Sequence, residues 1–123
     1  MQKSDDKRTL GFSLEVYAKT QIESVGYQIV ATNYACKLGE IDIIAKKNNV
    51  LVFIEVRYRK NSRFGGALAS ITPQKQKRLI LTASHYLQQK KLTNKIACRF
   101  DVFAIQGNLP SLHYEWIENA FTA

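Results

Sequence analysis

The sequence is poor in the residues that staple small folds together or mark flexible linkers, with two cysteines and two prolines in 123 residues. Cys36 and Cys98 stand far apart without Cys-x-x-Cys spacing, so they make neither a zinc motif nor a disulfide framework. Their expected role is that of small buried residues in a reducing compartment. Pro73 and Pro110 fall where elements should begin or end, no segment is low in complexity, and nothing repeats, which argues against an internal linker or a solenoid. His85 and His113 lie in unrelated segments and suggest no zinc pair. No apolar stretch approaches the ~18 residues needed to span a bilayer, and residues 1–9 are polar and mixed in charge. The expectation is a cytoplasmic protein without a membrane partner: a flexible N-terminus over residues 1–10 and a single domain over 11–123.

What is present is apolar mass and positive charge. A hydrophobic fraction of 46% suffices for a globular core, and eighteen Lys and Arg against ten Asp and Glu give a net charge of +8. That excess draws a chain toward polyanions through counterion release. It names a class of partner, with nucleic acid ahead of acidic membrane surfaces, and no chemistry.

Between Gly11 and about Ser24 the residues Phe12, Val16, Ile22 and Val25, with Leu14 and Ala18 beside them, recur at helical spacing until Gly26 stops the helix. Strands are predicted at about Tyr27–Asn33, Leu38–Lys46 and Val50–Lys60, with Lys47, Asn48 and Asn49 as a hairpin turn. In the third, Val50, Val52, Ile54, Val56 and Tyr58 alternate with Phe53, Glu55, Arg57 and Arg59, so one face is apolar and the other becomes charged from Glu55. In the second, Ile41, Ile43 and Ala45 are assigned to one face and Glu40 and Asp42 to the other. A basic, glycine-containing loop over Asn61–Ala69 leads to Thr72-Pro73, a helix start in which Thr caps and Pro suits the first turn. This helix should run to about Gln89 on a stripe of Leu79, Ile80, Ala83, Tyr86 and Leu87. A strand over Ala97–Ile105, a turn at Asn108 and Pro110, and a short strand over Leu112–Ile117 complete an α/β order of αβββαββ.

Asp42 and Glu55 sit on the polar sides of adjacent, otherwise buried strands. Two such carboxylates can share a hard divalent cation, and Mg²⁺ held this way keeps several waters and binds phosphate oxygens. Arg57, two residues beyond Glu55, emerges on the same face, where a cation would steady a phosphate. Glu15 adds a third carboxylate if the first helix packs beside Asp42. The competing reading is a solvated cross-strand charge pair. Glu40 is a positioning residue at best.

The runs Gly39-Glu40-Ile41-Asp42-Ile43-Ile44-Ala45, Phe53-Ile54-Glu55-Val56-Arg57-Tyr58-Arg59 and Arg63-Phe64-Gly65-Gly66 resemble the YraN-type family of bacterial proteins, related to Holliday junction resolvases within the PD-(D/E)xK superfamily. Glu15, Gly26-Tyr27, Asn33, Lys75 and Arg99-Phe100-Asp101-Val102 extend the resemblance over about residues 11–106. It implies a restriction-endonuclease-like mixed sheet flanked by helices, with Asp42, Glu55 and Glu15 as ligands of Mg²⁺ or Mn²⁺, DNA as the partner, and no small-molecule cofactor. By analogy with resolvases of similar fold it also suggests a homodimer. The superfamily pattern expects Lys at position 57, where this chain has Arg57, a group that stays protonated and cannot serve as a base. Lys75 is a candidate substitute.

Arg59, Lys60, Arg63, Lys75, Lys77 and Arg78 surround the acidic residues in sequence and are expected to grip phosphates without reading bases. A solvated charged surface is the alternative for each taken singly. Two functions follow: a metal-dependent endonuclease acting on DNA, including branched DNA, or a nucleic-acid-binding protein of the same fold that cleaves weakly or not at all. A protein-interaction role would use the sheet edge or the C-terminal aromatics Tyr114, Trp116 and Phe121, which more simply close the core. Tyr58 and Phe64 are read as packing residues before base-stacking ones, and Asp101 as either a pocket residue or an anchor of the sheet.

Overall fold

The computed structural model describes residues 3–59 and 64–123. Helix α1 spans Lys3–Ser24 and is followed by strands β1 (Gln28–Cys36), β2 (Gly39–Lys47) and β3 (Val50–Arg59), then by short helix α2 (Phe64–Ala69) and helix α3 (Pro73–Gln89), and finally by β4 (Ala97–Asn108) and β5 (Ser111–Phe121). The strands form one five-stranded sheet in the order β1-β2-β3-β4-β5. All neighbours are antiparallel except β3 and β4, which run parallel and are joined by the α2–α3 crossover. A parallel pair cannot close through a hairpin, so the helical connection is what this pairing demands.

Helices cover both faces, and the sheet carries a core on each. On the α3 side Ile41, Ile44, Leu51, Phe53, Leu79, Ala83, Tyr86, Phe100 and Val102 pack together. On the α1 side Leu14, Ala18 and Ile22 meet Ile43, Ala45, Val52, Ile54, Phe103 and Ile105. A sheet buried on both faces needs strands that are apolar in succession, and Leu51 to Ile54 of β3 are all buried.

Several expectations change. The stripe of α1 that meets the sheet is Leu14, Ala18 and Ile22 at strict i,i+4 spacing, whereas Phe12, Val16 and Val25 are exposed. Helix α1 also begins at Lys3 rather than near Gly11. Ile41 does not share the face of Ile43 and Ala45; it joins the α3 side with Ile44, because β2 leaves its regular pairing with β3 beyond Ile43. The supposed loop before α3 contains a helical turn, Phe64–Ala69, despite Gly65 and Gly66. The last strand runs to Phe121. Cys98 is exposed and Cys36 half-buried, so neither is a core thiol.

The hairpin turn stands where it was expected: Asn48 and Asn49 take φ of 51° and 63°, the left-handed pair that a tight two-residue turn requires and that Asn tolerates. Thr72 caps α3 by accepting a 3.2 Å bond from the Lys75 amide, ahead of Pro73 in the first turn. Asp101 proves to be an anchor. It is buried, accepts from Arg99, from Trp116 Nε1 at 2.8 Å and from the Asn119 amide at 2.9 Å, and Arg99 Nη2 continues to the Tyr27 hydroxyl at 2.7 Å. Trp116 and Phe121 pack into the cores, and Tyr114 stacks on Phe103 while staying partly exposed. Tyr58 is a packing residue whose hydroxyl donates to the Gly107 carbonyl at 2.6 Å.

Candidate functional site

The ladder between β2 and β3 is regular from Lys47↔Val50 to Ile43↔Ile54 and then stops. At the next step the backbone of β3 is satisfied by a side chain: Val56 N–H donates to Asp42 Oδ2 at 2.8 Å. The two strands part there, and Asp42 stands in the gap, lining a pocket on each side of the sheet.

On the α3 side the pocket holds about 290 Å³ and brings together Asp42, Glu55, Arg57, Lys75, Arg78 and Glu40. Glycine at position 39 makes this closure feasible. A Cβ there would lie 3.0 Å from Thr82 Oγ1 and 3.8 Å from the Arg78 carbonyl oxygen, so the start of β2 rests directly on α3. Thr82 is fully buried and turns its hydroxyl to the Arg78 carbonyl at 2.8 Å. The sequence Gly39-Glu40-Ile41-Asp42 is thus a docking step followed by the carboxylate it places.

Electrostatics within this pocket are tense. Burial, then the charge of Asp42 and a hydrogen bond between the two carboxyl groups, push Glu55 up to about 8, while Arg57 and Lys75 pull the other way. Arg57 Nη2 lies 2.9 Å from Glu55 Oε2 with both side chains largely buried. Arg57 Nε is buried without a hydrogen-bond partner among the described residues. A buried guanidinium with a free donor beside a carboxyl held partly against its charge is a site with unmet demand for both an anion and a cation.

Glu15 is placed on the other side of Asp42. It lines a second pocket of about 230 Å³ with Asp42 and Asn33, and its Oε1 accepts from Asn33 Nδ2 at 3.2 Å. Asp42 therefore shares one pocket with Glu55 and another with Glu15, and among the described residues no three His, Cys, Asp or Glu side chains are grouped to hold one ion. Of the expected basic collar, Lys75 and Arg78 line the Glu55 pocket. Arg59 and Lys77 are exposed and line neither, and Lys60 and Arg63 lie outside the described residues. Asn33 was not singled out as a site residue. Its φ of 53° was the legible sign only after folding, since Asn is the residue that most readily takes the left-handed conformation.

A five-stranded mixed sheet clad by helices, with acidic residues where two central strands part, defines a restriction-endonuclease-like fold. Comparison with known proteins narrows this to a family. Residues 14–105 match the model described as Uncharacterised protein family UPF0102. A UPF0102 protein from Hahella chejuensis is 49% identical over 114 residues, covering 92% of this chain and 90% of its own. One from Saccharophagus degradans is 44% identical over 112 residues, covering 91% and 92%. One from Psychromonas ingrahamii is 45% identical over 121 residues, covering 98% and 93%. The chain belongs to UPF0102, the YraN family that its motifs resemble. Among the described residues no helix is long and apolar enough to cross a membrane.

Proposed function

We propose that the protein is a cytoplasmic, Mg²⁺- or Mn²⁺-dependent nuclease that hydrolyses DNA phosphodiesters at the pocket shared by Asp42 and Glu55. The observation that carries this reading is the convergence of two half-buried carboxyl groups from adjacent strands, at the point where the strands part, beside Arg57 and Lys75. The donor set fits a hard cation: oxygen ligands only, and two of them, which leaves positions for water and phosphate. Such an ion supplies Lewis-acid stabilisation of the phosphoryl oxygen.

The chain's own groups have distinct tasks. Asp42 is held in place by the Val56 amide, which fixes the carboxylate that would anchor the ion. Glu55 completes the pair and would hold the ion as a carboxylate, having released its proton. Arg57 leaves Glu55 as phosphate enters and turns its donors to the phosphate oxygens; as a fixed charge it neutralises and orients without accepting a proton. Lys75, set on the first turn of α3 by the Thr72 cap, lines the pocket and supplies a compact ammonium for the phosphate. Arg78 holds the flanking phosphate.

The second reading, a nucleic-acid-binding protein without cleavage, draws on the 2.9 Å Arg57–Glu55 pair, since an internal cation on that carboxylate competes with a metal. The two are separated by titrating Mg²⁺ and Mn²⁺ calorimetrically into the protein, Asp42→Ala and Glu55→Ala, and assaying the same samples on labelled linear, flap and four-way DNA. Cleavage that needs the metal and both carboxylates establishes the nuclease. Salt-sensitive DNA binding that survives both substitutions, with no cleavage, establishes the binding protein.

A further inference from the structure

Strand β1 ends the sheet on one side and β5 on the other, and the two edges are guarded unequally. β1 shifts register between Ile29 and Ala31, a bulge of the kind that spoils an edge for further pairing. β5 pairs with β4 without interruption from Ser111 to Ile117, and that stretch contains no proline, lysine or arginine to discourage another strand. Two bonds give the direction of its remaining backbone groups. Gly107 and Leu112 stand opposite each other in the ladder, yet the Gly107 carbonyl accepts from the Tyr58 hydroxyl of β3 at 2.6 Å and the Leu112 carbonyl from the Tyr17 hydroxyl of α1 at 3.4 Å. Theirs is therefore a pair that exchanges no hydrogen bonds. By the alternation of an antiparallel ladder, Leu112, Tyr114 and Trp116 turn their N–H and C=O groups away from β4.

The side chains of the same stretch are sorted by face. Leu112, Tyr114 and Trp116 lie on the α1 side, where Tyr114 stacks on Phe103 with ring centroids 4.7 Å apart and keeps an exposed flank. His113 and Glu115 are exposed on the opposite face. A strand added to this edge must offer backbone groups at every second residue, an aromatic flank for Tyr114, and polar groups that suit both His113 and Glu115. β5 itself offers all three. Turned about a two-fold axis at Tyr114, the midpoint of Ser111–Ile117, a second β5 runs antiparallel to the first and overlaps the whole regular stretch. Tyr114 then meets Tyr114, Leu112 meets Trp116, and His113 meets Glu115 twice, once from each copy. An axis at Glu115 would set two carboxylates face to face. One at Trp116 would shorten the overlap and leave His113 opposite Asn119.

We infer that β5 joins two copies of this chain edge to edge, with the two-fold axis at Tyr114 and the backbone groups of Leu112, Tyr114 and Trp116 paired across it. The sheet of one protomer continues into the other. β4 lies between this edge and the site-bearing β3, so the interface uses none of Asp42, Glu55, Arg57 and Lys75 and stands or falls apart from the nuclease.

Sedimentation velocity over a dilution series tests the association, and wild type should pass from dimer to monomer as it is diluted. Glu115→Lys sets an ammonium against the imidazole in both His113 pairs and should weaken the dimer roughly 10-fold. Its melting temperature in dilute, monomeric solution should match that of wild type, because residue 115 is exposed. Adding His113→Glu to Glu115→Lys restores opposite charges across the axis and should recover the association. Cross-linking then reads the register, in a chain whose Cys36 and Cys98 are replaced by serine. Opposed residues of a pair without hydrogen bonds stand about 4.5 Å apart at Cα, within the roughly 4.4–6.8 Å that a disulfide spans. Each of residues 113 and 115 stands about 7–8 Å from its own copy. Oxidising a mixture of His113→Cys and Glu115→Cys chains should therefore yield a disulfide dimer of one with the other, and either chain alone should yield little. Wild type that stays monomeric at every concentration overturns the interface. So do a Glu115→Lys variant that associates as tightly as wild type, a double variant that recovers nothing, and a cross-link as efficient in the separate samples as in the mixture.

Discussion

Asp42 takes over from the backbone where β2 and β3 separate, its Oδ2 receiving the Val56 amide at 2.8 Å. One side chain thereby ends a ladder, satisfies a β3 donor and stands between two pockets. Asp42→Ala should leave the Val56 N–H without its acceptor and cost about 1–3 kcal/mol. Asp42→Asn, which keeps an acceptor oxygen, should recover most of that stability in urea unfolding while binding no Mn²⁺ by calorimetry. Equal losses for the two variants would mean that the bond contributes nothing and that only the charge counts.

Glu55 sets a pH dependence whose sign follows from its raised pKa. The folded protein holds the Glu55 proton up to about 8, whereas the unfolded chain releases it near 4.5. Between those values the native state binds more protons, so this group's contribution to stability is full below about 4.5 and is lost as pH rises toward 8. Glu55→Gln removes the charge while keeping the shape. It should leave stability nearly unchanged at acidic pH and increase it above pH 8, by on the order of a few kcal/mol at most, read as a higher melting temperature. A stabilisation independent of pH would count against the shift.

Metal binding should carry the mirror image. A cation that needs the ionised Glu55 must displace its proton, so at neutral pH Mn²⁺ binding should release close to one proton, detected as a dependence of calorimetric enthalpy on buffer ionisation heat. Affinity should increase with pH until about 8 and then level off. Glu55→Gln should show neither effect.

Gly39→Ala places a methyl 3.0 Å from Thr82 Oγ1 at a φ of 155° that side-chain-bearing residues rarely adopt, so the contact between the start of β2 and α3 must give by a few tenths of an ångström. A loss of about 1–3 kcal/mol is expected, the range for forced overpacking. Combining it with Thr82→Ala should restore part of the loss, because the second change removes the atom that clashes. The coupling in a double-mutant cycle of chemical denaturation measures that contact.

Asp101 is the buried acceptor for Arg99, Trp116 and Asn119. Asp101→Ala strands the Trp116 indole N–H and the Asn119 amide and leaves Arg99 only Tyr27 and Glu118, and should cost about 3–5 kcal/mol, as breaking a buried ion pair does. Trp116 fluorescence reports the loss directly.

Much of this was legible because it is local. The β2–β3 hairpin follows from strand periodicity and two asparagines, and it alone brings Asp42 and Glu55 within reach of each other. The face of Ile41 was misread because strict alternation presumes a regular ladder, and the ladder fails where the site begins. On α1, helical spacing admits two stripes, Phe12–Val16 and Leu14–Ala18–Ile22; choosing between them requires knowing which side meets the sheet. Glu15 was expected beside Asp42 and is there, but on the side away from Glu55, a distinction that spacing along a helix does not contain. Lys75 reaches the site only through a crossover whose path depends on the parallel β3–β4 pair.

That division has a kinetic side. Asp42 and Glu55 meet through a hairpin, a contact of short sequence separation that closes in microseconds, whereas Lys75 and Arg78 arrive only when a much longer loop closes and β4 docks against β3. During folding the two carboxylates should meet with only Arg57 of the same hairpin beside them, before Lys75 is in place. The parting of β2 and β3 beyond Ile43 should accordingly be the last stretch of the central strands to settle and the first to open, fraying in hydrogen exchange ahead of the Lys47–Val50 end of the same hairpin.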